Sequence, residues 1–291
     1  MKQIEATHLG KQSNYPQQYD PTVLVAVPRM LNRGQYGISN HSLPFTGMDV
    51  WHAYEFGFLT ENGTPVAGIL KLVYTATNEF LVESKSLKLY LNSFNMDLFG
   101  KTRDEGISLV IGIIQTDLSD LLKCEVEVYY FYHTSKPAET DFTEFTILEE
   151  AIDFDKLNCT HFTEHTELLE LSSEKGEIKW GTHLLRSNCK ITHQPDWGSL
   201  FIEMKGQKLP IPGGFLKYIV SLRNENHFHE EICEMVFKRL VDHFSPETLM
   251  VACLYTRRGG IDINPVRSLN AADLPKNLIH PGQLSFPQFR Q

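Results

Sequence analysis

The segment from residue 187 to residue 197 brings a thiol and a carboxyl group together in one polar stretch. Cys189 is followed directly by Lys190, and His193 comes shortly after it. Positive neighbours favour the thiolate form of a cysteine, which is its nucleophilic form. Asp196 supplies a carboxyl group that can donate a proton to an atom made negative by thiolate attack. The segment therefore predicts a nucleophile and a general acid in one site.

The other cysteines have surroundings that predict different roles. Cys124, Cys233 and Cys253 lie on apolar strand or helix faces, which is typical of cysteines that only pack. Cys159 has polar neighbours, but among them only a histidine could carry charge. Most free cysteines in cytosolic proteins are buried or incidental, so a packing role for Cys189 is the alternative reading. Its charged surroundings favour reactivity.

A second motif lies in the other half of the chain, where residues 83–90 read Glu-Ser-Lys-Ser-Leu-Lys-Leu-Tyr. Residues 187–197 read Ser-Asn-Cys-x-x-Thr-x-Gln-Pro-Asp-Trp. Together these motifs resemble the two signatures of 7-cyano-7-deazaguanine reductases, the nitrile reductases of queuosine biosynthesis. The order of the motifs is similar to the long, two-module form of that family. The resemblance extends from about Leu9 to Ser268.

The resemblance implies a reaction. NADPH would reduce the nitrile of 7-cyano-7-deazaguanine to a primary amine, with two cofactor molecules consumed for each substrate. Cys189 would attack the nitrile carbon to form a covalent thioimide, and Asp196 would be the proton donor. Donation near neutral pH requires Asp196 to be partly protonated, which exclusion of water by Pro195 and Trp197 could favour.

The resemblance also implies binding residues. The substrate-binding positions are Val82, Glu83, Ser84, His229 and Glu230, and the cofactor-binding positions are Ser84, Lys85, Arg258 and Gly259. Glutamates suit a guanine-like base, because its edge presents N–H donors and carboxylates only accept. Without the motifs, Glu83 would read as a solvated charge and Glu230 as an acid in a first helical turn. No Gly-x-Gly-x-x-Gly motif follows a strand, so the NADPH assignment depends on the resemblance.

Two alternatives belong to other functional classes. His227 and His229, with the glutamates that follow, could share a metal ion in a purine- or pterin-directed enzyme. No cysteine pair or third histidine at helical spacing supports such a site, and the resembled reductase needs no catalytic metal. We therefore predict no metal. The other alternative is a base-binding module without turnover, against which the pair of Cys189 and Asp196 argues.

Composition limits the class of protein. The chain has 291 residues, of which 42% are hydrophobic, enough for one large core or two modest cores. Its formal net charge of −9 argues against a nucleic-acid surface, because phosphate contacts need clustered Lys and Arg. Five cysteines without regular spacing indicate a reducing cytoplasm, and no apolar run approaches the roughly 20 residues of a membrane span. We expect a cytoplasmic protein without nucleic-acid or membrane partners.

Hydrophobic periodicity predicts the elements that position these residues. Strands at 50–59 and 65–74 should form a hairpin whose tight turn uses Asn62-Gly63, since both residues tolerate positive φ. A short helix should run from the Glu-Ser-Lys motif to about residue 94, followed by a helix at 107–121 and a strand at 124–132. The second half repeats this order, with strands at 178–185, 200–205 and 249–255 and helices at 214–222 and 230–244.

The repeated order predicts an α+β protein with two copies of a ββααββ unit. We expect an N-terminal arm at 1–49, a first module at 50–165 and a second module at 166–291. The acidic segment 134–175 should cross between the modules outside either core. The family resemblance implies the tunnelling fold, in which antiparallel sheets assemble into a barrel with helices outside, and a homodimer of two-module chains.

Overall fold

The computed structural model describes residue 16 and residues 18–291, so the start of the predicted arm and Leu9 lie outside the described residues. Its strands are β1 (Ala26–Pro28), β2 (Thr46–Leu59), β3 (Pro65–Thr75), β4 (Phe80–Val82), β5 (Val126–Phe131), β6 (Thr146–Ile147), β7 (Gly176–Cys189), β8 (Pro195–Gly206), β9 (Asn226–His227), β10 (Thr248–Tyr255) and β11 (Ile261–Ser268). Its helices are α1 (Met30–Arg33), α2 (Ser84–Ser93), α3 (Arg103–Leu122), α4 (Leu148–Ala151), α5 (Pro212–Ser221), α6 (His229–Phe244) and α7 (Lys276–Ile279). The predicted α+β class is confirmed.

One nine-stranded sheet forms the framework, with the order β5-β3-β2-β11-β10-β8-β7-β6 and with β9 beside β7. Its neighbouring strands are antiparallel except at β6–β7 and β7–β9. Strands β2 and β11 join the two halves, with Ala53 opposite Ile261 and Thr46 opposite Ser268. The sheet of the single chain is open, because its path begins at β5 and ends at β6.

The predicted hairpin forms between β2 and β3, but its turn is longer than expected. The Thr60 N–H donates to the Thr64 carbonyl at 2.9 Å, which encloses residues 60–64 in the loop. Gly63 has φ +80°, whereas Asn62 keeps a negative φ and accepts the Thr64 N–H through its side chain at 3.2 Å. The prediction of positive φ at both residues is therefore wrong, because the asparagine side chain stabilises a wider loop.

Alternating strand residues divide the interior into two layers. Trp51 and Leu72 pack beneath α2 and α3, whereas their strand neighbours Val50 and Val73 face the opposite side of the sheet. The predicted apolar stripe of α3 is confirmed, and its buried members include Ile107, Val110, Ile114 and Leu118. The helix begins after Thr102, whose side chain accepts the Glu105 N–H and so caps the first turn.

The acidic segment between the halves contributes to the core, which corrects the prediction that 134–175 lies outside it. Phe142 stacks on Phe201 with ring centroids 4.3 Å apart, and Phe145 meets the same ring edge-on at 5.6 Å. Leu148 is also buried. The abundance of Glu and Thr around these residues indicated a surface crossing, although a few apolar side chains are enough to anchor a segment to a sheet.

A buried cluster of charges ties the N-terminal segment to the second half of the chain. Glu234 of α6 accepts from Arg33 at 2.7 Å and from Arg267 at 2.9 Å. Asp49 of β2 pairs with Arg29 at 2.5 Å and with Arg267 at 2.8 Å. Burial acts to raise the pKa of Glu234, but Arg267 and Arg33 outweigh it and hold that pKa below its usual value. The cluster therefore links α1, β2, α6 and β11.

We predict that Glu234→Gln destabilises the protein by about 3–5 kcal/mol, because it leaves two buried guanidinium groups without a full counter-charge. The matched control is Glu203→Gln, which removes a partly exposed carboxylate 3.3 Å from Lys179 and should cost less than about 1 kcal/mol. Urea unfolding of both variants measures the difference. Equal effects would contradict a special role for the buried cluster.

Candidate active site

A cavity of about 320 Å³ lies where α2, the β7–β8 hairpin, the start of α6 and the turn after β10 meet. Its wall contains all but one of the predicted site residues, namely Val82, Ser84, Lys85, Cys189, Asp196, His229, Glu230, Arg258 and Gly259. The predicted residue absent from the wall is Glu83. Residues far apart in the sequence therefore meet at one place.

The β7–β8 hairpin brings the thiol and the carboxyl group to this wall. Strand β7 ends at Cys189 and β8 begins at Pro195, with Ser187 opposite Asp196 in the ladder. The Cys189 N–H donates to the Gln194 carbonyl at 2.8 Å, and His193 adopts φ +55° in the turn. The turn thus leaves Cys189 only 8% exposed and directs both groups into the cavity.

Asp196 is paired with a cation in the free protein. Its Oδ1 accepts from Arg258 at 2.8 Å, and its Oδ2 lies 3.7 Å from Nε2 of His229. Arg258 also donates to the Thr192 hydroxyl at 3.0 Å and to the Gln194 side chain. Arg258 therefore holds the Asp196 carboxyl group beside the hairpin that carries Cys189.

The first turn of α6 presents His229 and Glu230 to the cavity. Glu230 is 2% exposed, and burial together with the charge of Asp49 raises the pKa of its carboxyl group to about 8. Its Oε1 has no hydrogen-bond partner among the described residues. Burial lowers the pKa of His229, whose ring packs edge-on against Tyr255 at 4.0 Å. Glu230 thus offers an open acceptor within a largely apolar setting.

Glu83 is placed differently from the other predicted residues. It is buried and caps α2, where its carboxylate accepts the N–H groups of Lys85 at 3.0 Å and Ser86 at 2.8 Å. Its chain neighbours Val82 and Ser84 line the cavity. The contacts give Glu83 a role in fixing the start of α2. Its predicted contact with a base stays a prediction.

Three cationic side chains line one side of the cavity: Lys85, Lys88 and Arg258. Lys88 donates to the carbonyl of Gly259, which places α2 beside the turn that follows β10. Gly259 has φ +61°, and an added Cβ would lie 2.9 Å from Nζ of Lys88. Glycine therefore allows this close approach. Cations beside an exposed backbone suit the phosphates of a dinucleotide, so these residues fit NADPH.

Sequence reasoning did not single out Lys88, Thr192 or His227 as parts of this wall. A signal for Lys88 was present, because residues three apart on a helix share a face and Lys85 was already assigned. Within the described residues, no group of three His, Cys, Asp or Glu side chains is arranged to hold a metal ion. No described helix is long and apolar enough to cross a membrane.

Comparisons with known proteins show the family of the chain. A family model described as nitrile reductase, 7-cyano-7-deazaguanine-reductase N-term, matches residues 15–130, and a model described as QueF-like protein matches residues 195–273. A relative from Rickettsia canadensis (strain McKiel), named NADPH-dependent 7-cyano-7-deazaguanine reductase, is 39% identical over 278 residues, which cover 94% of this chain and 97% of the relative. The chain belongs to the 7-cyano-7-deazaguanine reductase family.

A second relative of the same name, from Dechloromonas aromatica (strain RCB), is 38% identical over 94% of this chain and 93% of its own length. A solved structure, the apo form of the archaeosine synthase QueF-Like, is 18% identical with a TM-score of 0.31 and covers 33% of this chain and 94% of its own. Each of the two family models matches part of the cavity lining. Ser84 lies within the first match, and Asp196 within the second.

We predict that Glu230→Gln stabilises the protein at high pH. Folding raises the pKa of this carboxyl group from about 4.5 to about 8, so ionising it costs more in the folded protein than in the unfolded chain. The free energy of unfolding of the wild type therefore falls as pH rises from about 4.5 to 8. Glutamine removes that cost, and the variant should be more stable than wild type by at least about 1 kcal/mol at pH 9. Urea unfolding at pH 5 and pH 9 measures the effect. A gain that does not grow with pH would contradict it.

Proposed function

We propose that this chain reduces the nitrile of 7-cyano-7-deazaguanine to 7-aminomethyl-7-deazaguanine with NADPH, in queuosine biosynthesis. The observation that carries the proposal is the meeting of Cys189, Asp196, Glu230 and a cationic wall in one cavity of a chain from this family. Its relatives bear the name of that NADPH-dependent reductase. No described side-chain arrangement favours the metal-enzyme alternative.

Substrate recognition would centre on Glu230. The open Oε1 can accept an N–H donor from the guanine-like edge. Because burial raises the pKa of Glu230 to about 8 in the free protein, binding of such donors would favour its ionised form. His229 stands beside it at the start of α6, and Val82 and Ser84 form the opposite wall. Glu83, at the start of α2, would complete recognition of the base, since each carboxylate oxygen can accept more than one hydrogen bond.

The ion pair of Asp196 suggests how the addition step balances its protons. The Asp196 carboxylate accepts the proton of the Cys189 thiol, and the thiolate attacks the nitrile carbon. A carbon–sulfur bond forms, one π bond of the nitrile breaks, and Asp196 passes the same proton to the nitrogen. Asp196 is thus the proton donor of the addition step. The product of this step is a thioimide on Cys189.

The reduction steps use the cationic wall. When bound, NADPH would supply the hydride for each of the two reductions, and each reduction would also take up one proton. Ser84, Lys85 and Arg258 would hold the cofactor at the cavity, with Gly259 allowing close backbone approach. After the first round the carbon–sulfur bond breaks and Cys189 leaves, so that the second round acts on a free imine and yields the amine. His229 would hold the substrate in place between rounds.

The test counts NADPH oxidised per amine formed by the purified protein with 7-cyano-7-deazaguanine. Wild type should consume two NADPH per product, and Cys189→Ala should form neither amine nor covalent adduct. The matched control is Cys159→Ala, which should leave turnover unchanged because Cys159 lies outside the cavity wall. Asp196→Asn should slow adduct formation by about 10²- to 10⁴-fold. Amine formation by the Cys189 variant would refute the covalent route, and no NADPH consumption by wild type would refute the reaction.

We place the protein in the cytoplasm. All five cysteines are free thiols, including the nucleophile proposed here. A reducing compartment keeps such thiols from pairing.

The two-module organisation and the homodimer are proposed together. Both halves contain the order strand-strand-helix-helix-strand, as β2-β3-α2-α3-β5 and as β7-β8-α5-α6-β10, and the second half adds β11. This shared order supports modules at 50–165 and 166–291 after an arm at 1–49. Strand β5 ends the sheet and exposes 47% of Tyr129. A second copy that pairs at this edge would extend the sheet towards the barrel of the tunnelling fold and remove an exposed edge.

We predict that wild type sediments as a dimer and that Tyr129→Lys shifts it towards monomer, because the change places like charges at a two-fold interface. Leu171→Lys is the control, since Leu171 is 56% exposed and forms a bridge with Pro210 in the second half of the chain. Analytical ultracentrifugation measures the oligomeric state of the wild type and of both variants. A dimer unaffected by Tyr129→Lys would exclude this edge, and a monomeric wild type would exclude the homodimer.

A further inference from the structure

His227 lies beside the nucleophile in the sheet. Strand β9 runs parallel to the end of β7, with His227 opposite Cys189 and Asn226 opposite Asn188. The Asn188 N–H donates to the Glu225 carbonyl at 2.8 Å, which extends the junction by one residue. Residues that pair across neighbouring strands direct their side chains to the same face of the sheet. His227 and Cys189 accordingly both line the cavity.

Both ring nitrogens of His227 face carboxylates. Nδ1 lies 3.1 Å from Glu231, and Nε2 lies 3.4 Å from Glu225. The Tyr36 hydroxyl is 3.1 Å from Nε2 and can serve as donor or acceptor. Carboxylates only accept, whereas a neutral imidazole has a single N–H donor. Two carboxylates at the two nitrogens therefore call for the charged imidazolium.

The surrounding charges balance only if His227 is charged. Lys190 donates to Glu231 at 2.8 Å, and Arg239, whose guanidinium lies over the Tyr36 ring, pairs with Glu164 at 2.8 Å. The cations are then Lys190, His227 and Arg239, and the carboxylates are Glu164, Glu225 and Glu231. A neutral His227 would leave one partly buried carboxylate unbalanced. Burial acts to lower the pKa of His227, but hydrogen bonds to Glu225 and Glu231 outweigh it and raise that pKa to about 9.

The positive member of this group faces the nucleophile. His227 belongs to the cavity wall, whereas Glu225, Glu231 and Lys190 do not. The other charged or titratable groups of the wall are Lys85, Lys88, Asp196, His229, Glu230 and Arg258. Among them, Asp196 is already neutralised by Arg258 at 2.8 Å. A positive charge next to a thiol favours its thiolate.

We propose that His227 is a positioning residue for Cys189: its charged ring, fixed between Glu225 and Glu231, locks β9 to the end of β7 and favours the thiolate. The inference rests on the proposed role of Cys189 as nucleophile. Glu231 also accepts the Phe228 N–H at 3.1 Å, so the same clamp orders the first turn of α6. That turn carries His229 and Glu230, the proposed base-binding residues. His227 thus connects activation of the Cys189 thiol to the substrate pocket.

The test measures the reactivity of Cys189 in the free protein, without nitrile or NADPH. Iodoacetamide modification of the Cys189 peptide is followed by mass spectrometry from pH 5.5 to 9.5 in wild type and His227→Asn, with Cys159 as an internal reference. The variant should react about tenfold more slowly at pH 7, with its profile displaced to higher pH and its limiting rate at high pH retained. His227→Lys, which keeps a positive charge, should recover most of the wild-type rate.

The matched control is His193→Asn. His193 lies in the turn between β7 and β8, its side chain is exposed, and its Nδ1 lies 2.7 Å from the neutral Asn226 side chain. Its variant should follow the wild-type profile. A purely structural His227 would lower the thermal midpoint and leave the pH profile of Cys189 in place, and that result would overturn the proposal.

A second measurement needs no variant. In protein labelled at histidine, the NMR signals of the His227 ring should report an imidazolium up to about pH 9. A ring that is neutral at pH 7 would overturn the proposal even if His227→Asn failed to fold. Because neither experiment involves turnover, failure here is separate from failure of the proposed nitrile reduction, which the NADPH count decides.

Discussion

Neutralisation of buried charge is the constraint on which this structure depends. The interior cluster contains three arginines, Arg29, Arg33 and Arg267, and two carboxylates, Asp49 and Glu234. Charges removed from water are tolerated only when they are paired and hydrogen-bonded, so the cluster fixes the positions of the elements that carry its members. It leaves one positive charge in excess. Glu230, on the same helix as Glu234, is close enough for Arg29 and Arg267 to act on its ionisation. The charges that order the core therefore also act on the ionisation of a carboxyl group in the pocket.

The remaining features of the site follow from short connections. A tight turn between β7 and β8 places a thiol and a carboxyl group on one wall, and the turn after β10 brings Arg258 to that carboxyl group. Arg258 also donates to the Thr192 hydroxyl in the β7–β8 turn. This hydrogen bond fixes the turn after β10 relative to the β7–β8 turn. Such positions on rigid strand ends restrict reacting groups more than a free loop could. Preorganisation here arises from hydrogen bonds made before any ligand arrives.

Much of this architecture could be predicted from the sequence, because periodicity and motifs act locally. The stripe of α3 is a property of neighbouring residues. Strands β7 and β8, in contrast, extend to Cys189 and begin at Pro195, beyond the predicted limits of 185 and 200, because their pairing continues to Asn188 and Pro195. What could not be predicted depends on distant partners. Phe142 is a core residue only because Phe201 lies opposite it, and the width of the 60–64 loop depends on a side-chain hydrogen bond. Glu83 likewise resembled a pocket residue, while its contacts at the start of α2 became visible only in three dimensions.

The cationic wall also shows that charge is unevenly distributed over the protein. The whole chain carries a formal charge of −9, yet Lys85, Lys88 and Arg258 are concentrated at one cavity. Salt screens charges beyond about 8 Å at physiological ionic strength, so a small anion inside the cavity experiences mainly the local positive field. The net charge of the chain therefore does not indicate which ligands the cavity favours, because the side chains within one screening length set the sign of the field there.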